Sequence, residues 1–116
     1  MRTDGDCFQA AGRYVLNHPG AEAEYVLVHG IVTGQGPLKG VQYTHAWIER
    51  DGNVLDYSNG KKTEVQAWLY YVLGRIETTV RYTPREAAKK MWETKHFGPW
   101  ELEETPQEKE LKEKHA

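Results

Sequence analysis

The chain has 116 residues, a net charge of −2, 39% apolar and 28% charged residues, which makes room for one modest core and excludes both general disorder and a basic nucleic-acid footprint. No window approaches the roughly 20 apolar residues that a membrane span requires. The polar start MRTDGDC lacks the apolar stretch of a signal peptide, and a single cysteine excludes an intrachain disulfide, so a reducing, cytoplasmic setting is expected.

Asp6-Cys7-Phe8-Gln9 reads as a helix start, with Asp6 as N-cap, Cys7 as the first helical residue and Gln9 reaching back in a capping box. Phe8, Ala11, Val15 and Leu16 supply an apolar stripe at helical spacing, and Asn17-His18-Pro19-Gly20 ends the helix. Glu24 to Thr33 is rich in β-branched residues and predicts a strand buried on both sides; Gly30 inside it marks a bulge or a close backbone approach. Gly34 to Gly40 is a loop whose glycines and proline preclude regular structure.

Tyr43 to Ser58 predicts a β-hairpin. Asp51-Gly52 is a favoured two-residue type I′ turn, and using it pairs Arg50 with Asn53, Ile48 with Leu55, Trp47 with Asp56 and Ala46 with Tyr57. Because side chains alternate with period two, Ala46, Ile48, Leu55 and Tyr57 then share an apolar face, and His45, Trp47, Val54, Asp56 and Ser58 share the other. His45 and Asp56 become diagonal neighbours within reach of each other.

Thr63-Glu64-Val65-Gln66 reads as a second capping box ahead of a helix carrying Val65, Trp68, Leu69 and Val72, closed by Gly74. Ile76 to Tyr82 predicts a strand. Thr83-Pro84-Arg85-Glu86 is a third capping box, leading a helix to about Thr94, and His96 to Trp100 is expected to fold back on the domain. Residues 1–100 thus form one domain, and the Glu- and Lys-rich residues 101–116 read as a charged tail, a frayed helix or disordered.

Cys7, His45 and Asp56 are the residue types of a thiol, imidazole and carboxylate triad. A helix N-terminus and an adjacent imidazolium favour thiolate formation, His45 moves the proton, and Asp56 fixes the tautomer and aim of the ring. The backbone N–H of Cys7 is a natural oxyanion donor; Gln42 and Gln9 are the side chains available for a second. Trp47 on the same face reads as cover for the His–Asp bond, as lining for an acyl-acceptor cleft, or as ordinary packing. His18, His29 and His96 read as structural or surface residues, and no metal or other cofactor is expected, since no close-spaced C-x-x-C or H-x-x-x-H pair is present.

Asp6-Cys7 at a helix start, His45-Ala46-Trp47-Ile48-Glu49 on a strand and Val54-Leu55-Asp56 on the next resemble the transglutaminase-like branch of the papain-like cysteine hydrolases, over about residues 4–58. The resemblance implies acyl transfer through a thioester, with Cys7 as nucleophile, His45 as general base and Asp56 as orienter. It also implies an α+β fold in which the N-terminal helix packs on a small antiparallel sheet, here of about four strands. A peptide or protein substrate follows, with Trp47 and Gln42 beside it, and neither nucleic acid nor membrane. The alternative is a catalytically silent member of the same fold that binds a peptide or protein partner.

Overall fold

The computed structural model describes residues 6–18 and 24–114. Helix α1 (Cys7–Asn17) precedes strand β1 (Tyr25–Thr33), a short 3₁₀ turn at Gly36–Leu38, and the hairpin strands β2 (Gln42–Arg50) and β3 (Asn53–Asp56). A second 3₁₀ turn at Ser58–Gly60 leads to β4 (Thr63–Gln66), α2 (Ala67–Gly74), β5 (Thr79–Tyr82), α3 (Pro84–Thr94) and α4 (Pro106–Lys114). The strands form one antiparallel five-stranded sheet in the order β4-β3-β2-β1-β5. The fold is α+β, with one strand more than the sequence suggests. Among the described residues no helix is long and apolar enough to cross a membrane.

The hairpin folds as its alternation dictates. Asp51 and Gly52 take φ of 53° and 78°, as a type I′ turn requires, and Ile48 pairs with Leu55 and Arg50 with Asn53. The sheet is apolar on both faces. Leu27, Ala46, Ile48 and Leu55 pack beneath Ala11 and Val15 of α1, whereas Val28, Trp47 and Val54 face the other way, toward Tyr70 and Tyr71 of α2.

Gly30 belongs to a regular ladder, pairing with both His45 and Thr79, so it marks a close approach and no bulge. A Cβ there would lie 2.5 Å from the Trp47 ring. Gly30→Ala should therefore destabilise the fold by about 1–3 kcal/mol through overpacking. An unchanged urea midpoint would show that the Trp47 ring yields freely.

Four local expectations meet a different outcome. Asp6 precedes α1 as expected, but its φ of −118° and ψ of 21° lie outside the extended region an N-cap uses, and its side chain makes no capping bond. Gly36–Leu38 forms a 3₁₀ turn inside the predicted loop. Thr63–Gln66 is a strand: pairing Val65 with Val54 on the open edge of β3 outweighs the local capping pattern, so the helix starts only at Ala67. Residues 106–114 form a docked helix, and Thr105-Pro106-Gln107-Glu108 repeats the pattern of Thr83-Pro84-Arg85-Glu86. In both, the threonine hydroxyl accepts from the N–H three residues on and the glutamate accepts in return. The expected helix stop at Pro19-Gly20 lies outside the described residues.

His96 to Trp100 does fold back. Trp100 packs on the α1 side of the core, and Phe97 lies against Gly12. His29, fully buried there, sits among Phe8, Tyr82 and Trp100 with ring centroids 4.9, 5.1 and 4.9 Å away.

Candidate active site

Tyr43, His45 and Trp47 share one face of β2 because they are two residues apart, and their rings follow one another: Tyr43 to His45 is 5.8 Å and His45 to Trp47 is 6.1 Å between centroids. The diagonal neighbour across the hairpin is Asp56, whose Oδ2 lies 2.9 Å from His45 Nε2. His45 and Asp56 side chains are only 12% and 15% exposed.

Cys7 approaches His45 from a different element. The β2–β3 ladder begins at Ile48↔Leu55, so the first half of β2 has β1 on one side and no strand on the other. Helix α1 packs against β2 and against the turn that follows Asp56. Cys7 opens that helix, and its side chain hydrogen-bonds the His45 imidazole, whose Nε2 is taken by Asp56. The three residues singled out in the sequence are thus brought together on one imidazole. Cys7 itself is 2% exposed.

Asp56 has more partners than His45. Its Oδ2 also accepts from Tyr70 Oη at 2.8 Å, and its Oδ1 accepts from the N–H and hydroxyl of Ser58 at 3.1 and 2.8 Å. Burial alone would raise its pKa, but the hydrogen bond and charge of His45, joined by Ser58, hold it well below the ordinary carboxylate range. For His45, burial works against the charged form. Hydrogen bonds to Asp56 and Cys7, with the charges on both, outweigh it and raise the pKa to about 10. The imidazole is therefore protonated at neutral pH. Tyr70 is pushed far upward by burial and by Asp56, which keeps its hydroxyl a donor.

The remaining expected site residues lie differently. Trp47 is 0% exposed, so it lines no open cleft; its ring packs on Tyr70 and Tyr71 at 5.2 and 6.1 Å, and its Nε1 donates to Glu49 Oε2 at 2.9 Å. Glu49 is also held by Tyr71 and by Arg81, the latter at 2.9 Å, which completes a polar cluster behind the site. Gln42 is exposed, and its odd spacing from His45 puts its side chain on the opposite face of β2. Its backbone is used instead: the N–H donates to Gln107 Oε1 at 2.7 Å, and the carbonyl accepts from Thr105.

A cleft of about 410 Å³ opens beside the start of α1, lined by Asp6, Phe8, Gln9, Thr44, Pro99 and Glu108 among others. A larger one of about 680 Å³ lies near Tyr25, Arg50 and Arg85, and neither cleft is lined by Cys7, His45 or Asp56. Among the described residues no group of three or more His, Cys, Asp and Glu side chains is disposed to hold a metal ion.

Ser58 and Tyr70 were not assigned roles from sequence. The Asp-x-Ser spacing signals the turn in which Asp56 accepts from the Ser58 N–H. For Tyr70 no local signal exists, because its contact depends on how α2 lies on the sheet. No family model, curated protein or solved structure matches the chain.

Proposed function

We propose that this chain performs thiol-dependent acyl transfer in the manner of the papain-like and transglutaminase-like enzymes, hydrolysing a peptide or side-chain amide through a thioester at Cys7. The observation that carries the reading is the shared imidazole, with Asp56 2.9 Å from one nitrogen and the Cys7 side chain hydrogen-bonded to the ring. A protonated imidazole beside a cysteine favours its nucleophilic thiolate form. Attack by Cys7 Sγ forms a C–S bond at the amide carbonyl, and His45 passes its proton to the departing nitrogen as the C–N bond breaks. Neutral His45 then takes a proton from the water that attacks the thioester. The C–S bond breaks, the acid leaves, and thiolate and imidazolium are restored.

Two features support this chemistry. Cys7 opens α1, and the backbone N–H groups of a helix start are suited to donate to an oxyanion. The second is the Asp56 carboxylate, which is itself fixed by Ser58 and Tyr70 and so holds the His45 ring in one orientation.

The 2% exposure of Cys7 favours a second reading, a catalytically silent module of the same fold that binds a peptide or protein partner, since buried free cysteines are commonly small core residues. One experiment separates the two. Alkylation of Cys7 by iodoacetamide is followed against pH in the wild type and in His45→Ala. The enzyme reading expects a reactivity plateau reaching below about pH 6 in the wild type alone, with a drop of roughly tenfold or more in the variant there. Rates that climb only toward about pH 8.5, or that coincide in the two proteins, support the binding module.

A further inference from the structure

We infer that Glu108, on the C-terminal helix, is a positioning residue for His45, holding the open edge of β2 so that the imidazole is aimed at Cys7; the inference rests on the function proposed above. Where β3 does not reach, the outward backbone groups of β2 are met by one turn of chain: Gln107 takes the Gln42 N–H, Thr105 donates to the Gln42 carbonyl, and Glu108 takes the Thr44 N–H at 3.0 Å. The Glu108 carboxylate also accepts from the Thr44 hydroxyl, at 3.0 Å on Oε1 and 2.9 Å on Oε2. These side chains close the edge as a further strand would.

Glu108 is 1% exposed and Thr44 likewise 1%, so this is a buried, charge-assisted grip and not a surface contact. It takes hold of both the backbone and the side chain of the residue before His45. Thr44 and His45 point to opposite faces of the strand, so fixing Thr44 at both points fixes the rotation of β2 about its own axis. Asp56 then secures one end of the imidazole, and the strand itself sets where the other end points. Glu108 touches no reacting atom in this account; it acts through Thr44. Its own place is set by the Thr105 cap, whose hydroxyl accepts from the Glu108 N–H at 3.0 Å.

The test compares Glu108→Ala with Glu108→Gln. Both remove the charge, and only the glutamine keeps an oxygen for the Thr44 N–H and hydroxyl, so the pair separates positioning from electrostatics. The His45 imidazole titration, followed by NMR, is the readout. The midpoint is expected to fall by about one unit or more in Glu108→Ala and to stay near the wild-type value in Glu108→Gln. Equal falls in both variants, or none in either, would overturn the inference. Should Glu108→Ala fail to fold, Thr44→Val replaces it: deleting the hydroxyl bonds alone should lower the midpoint by a smaller amount, and an unchanged midpoint counts against positioning. Cys7 alkylation in the same proteins keeps the two claims apart. A wild type without His45-dependent reactivity sinks the proposed function, and the titration still decides the part played by Glu108.

Discussion

Trp47→Ala is expected to remove about 3–5 kcal/mol of stability, a large share of the 5–15 kcal/mol typical of a domain. Trp47 is the largest fully buried side chain, and the elements around it are those that build the site: Gly30 of β1 beneath the ring, Tyr70 and Tyr71 of α2 above it. Deleting the indole leaves a cavity between sheet and helix and removes one of the donors to Glu49. Because Tyr70 reaches Asp56 from the same helix, the damage should extend to the His45–Asp56 pair. Trp92→Ala is the matched control. That ring is 73% exposed with the Lys95 ammonium 3.6 Å from its centroid, and its loss should cost no more than about 1 kcal/mol. Urea denaturation of the two variants gives the comparison. Similar losses in both would mean that the packing of α2 over Trp47 contributes little.

What the sequence reveals of this molecule follows the range of each interaction. The hairpin was legible because a two-residue turn and period-two alternation together fix register, and register alone makes His45 and Asp56 neighbours. The capping box at Thr83 was legible because both of its bonds lie within four residues. Thr63–Gln66 shows the limit of the same pattern, since the unpaired edge of β3 offered backbone partners that no local rule could weigh. In α2 the stripe of Trp68 and Val72 points outward, each 65% exposed, while Tyr70 and Tyr71 turn inward to the carboxylates Asp56 and Glu49. Helical spacing identified the helix but not its buried side. The grip of Glu108 on Thr44 joins residues 64 apart, so the tail reads as solvated until the fold shows a free strand edge beside it.

Stability should pass through a maximum near about pH 6.5, with different histidines governing the two limbs. His29 has no hydrogen-bond partner on either ring nitrogen among the described residues, and burial lowers its pKa to about 4. Its neutral form is the one the fold accepts. The stability it contributes is complete above the unfolded value of about 6.5 and is lost as pH falls toward 4, by about 3 kcal/mol in all. Asp56, held well below the carboxylate range, loses its contribution only in stronger acid, so His29 dominates this window. His45 has the opposite sign. Its folded pKa is raised to about 10, so its contribution is complete below about 6.5 and is lost as pH rises from there through 10. Urea denaturation across this range, in the wild type, His29→Phe and His45→Gln, distinguishes the limbs. His29→Phe keeps an aromatic ring among Phe8, Tyr82 and Trp100 and should flatten the acid limb alone; His45→Gln should flatten the alkaline limb alone. An acid limb that survives in His29→Phe would assign the loss to the carboxylates, and an alkaline limb that survives in His45→Gln would mean that the imidazole and Asp56 are not an ion pair in the native state.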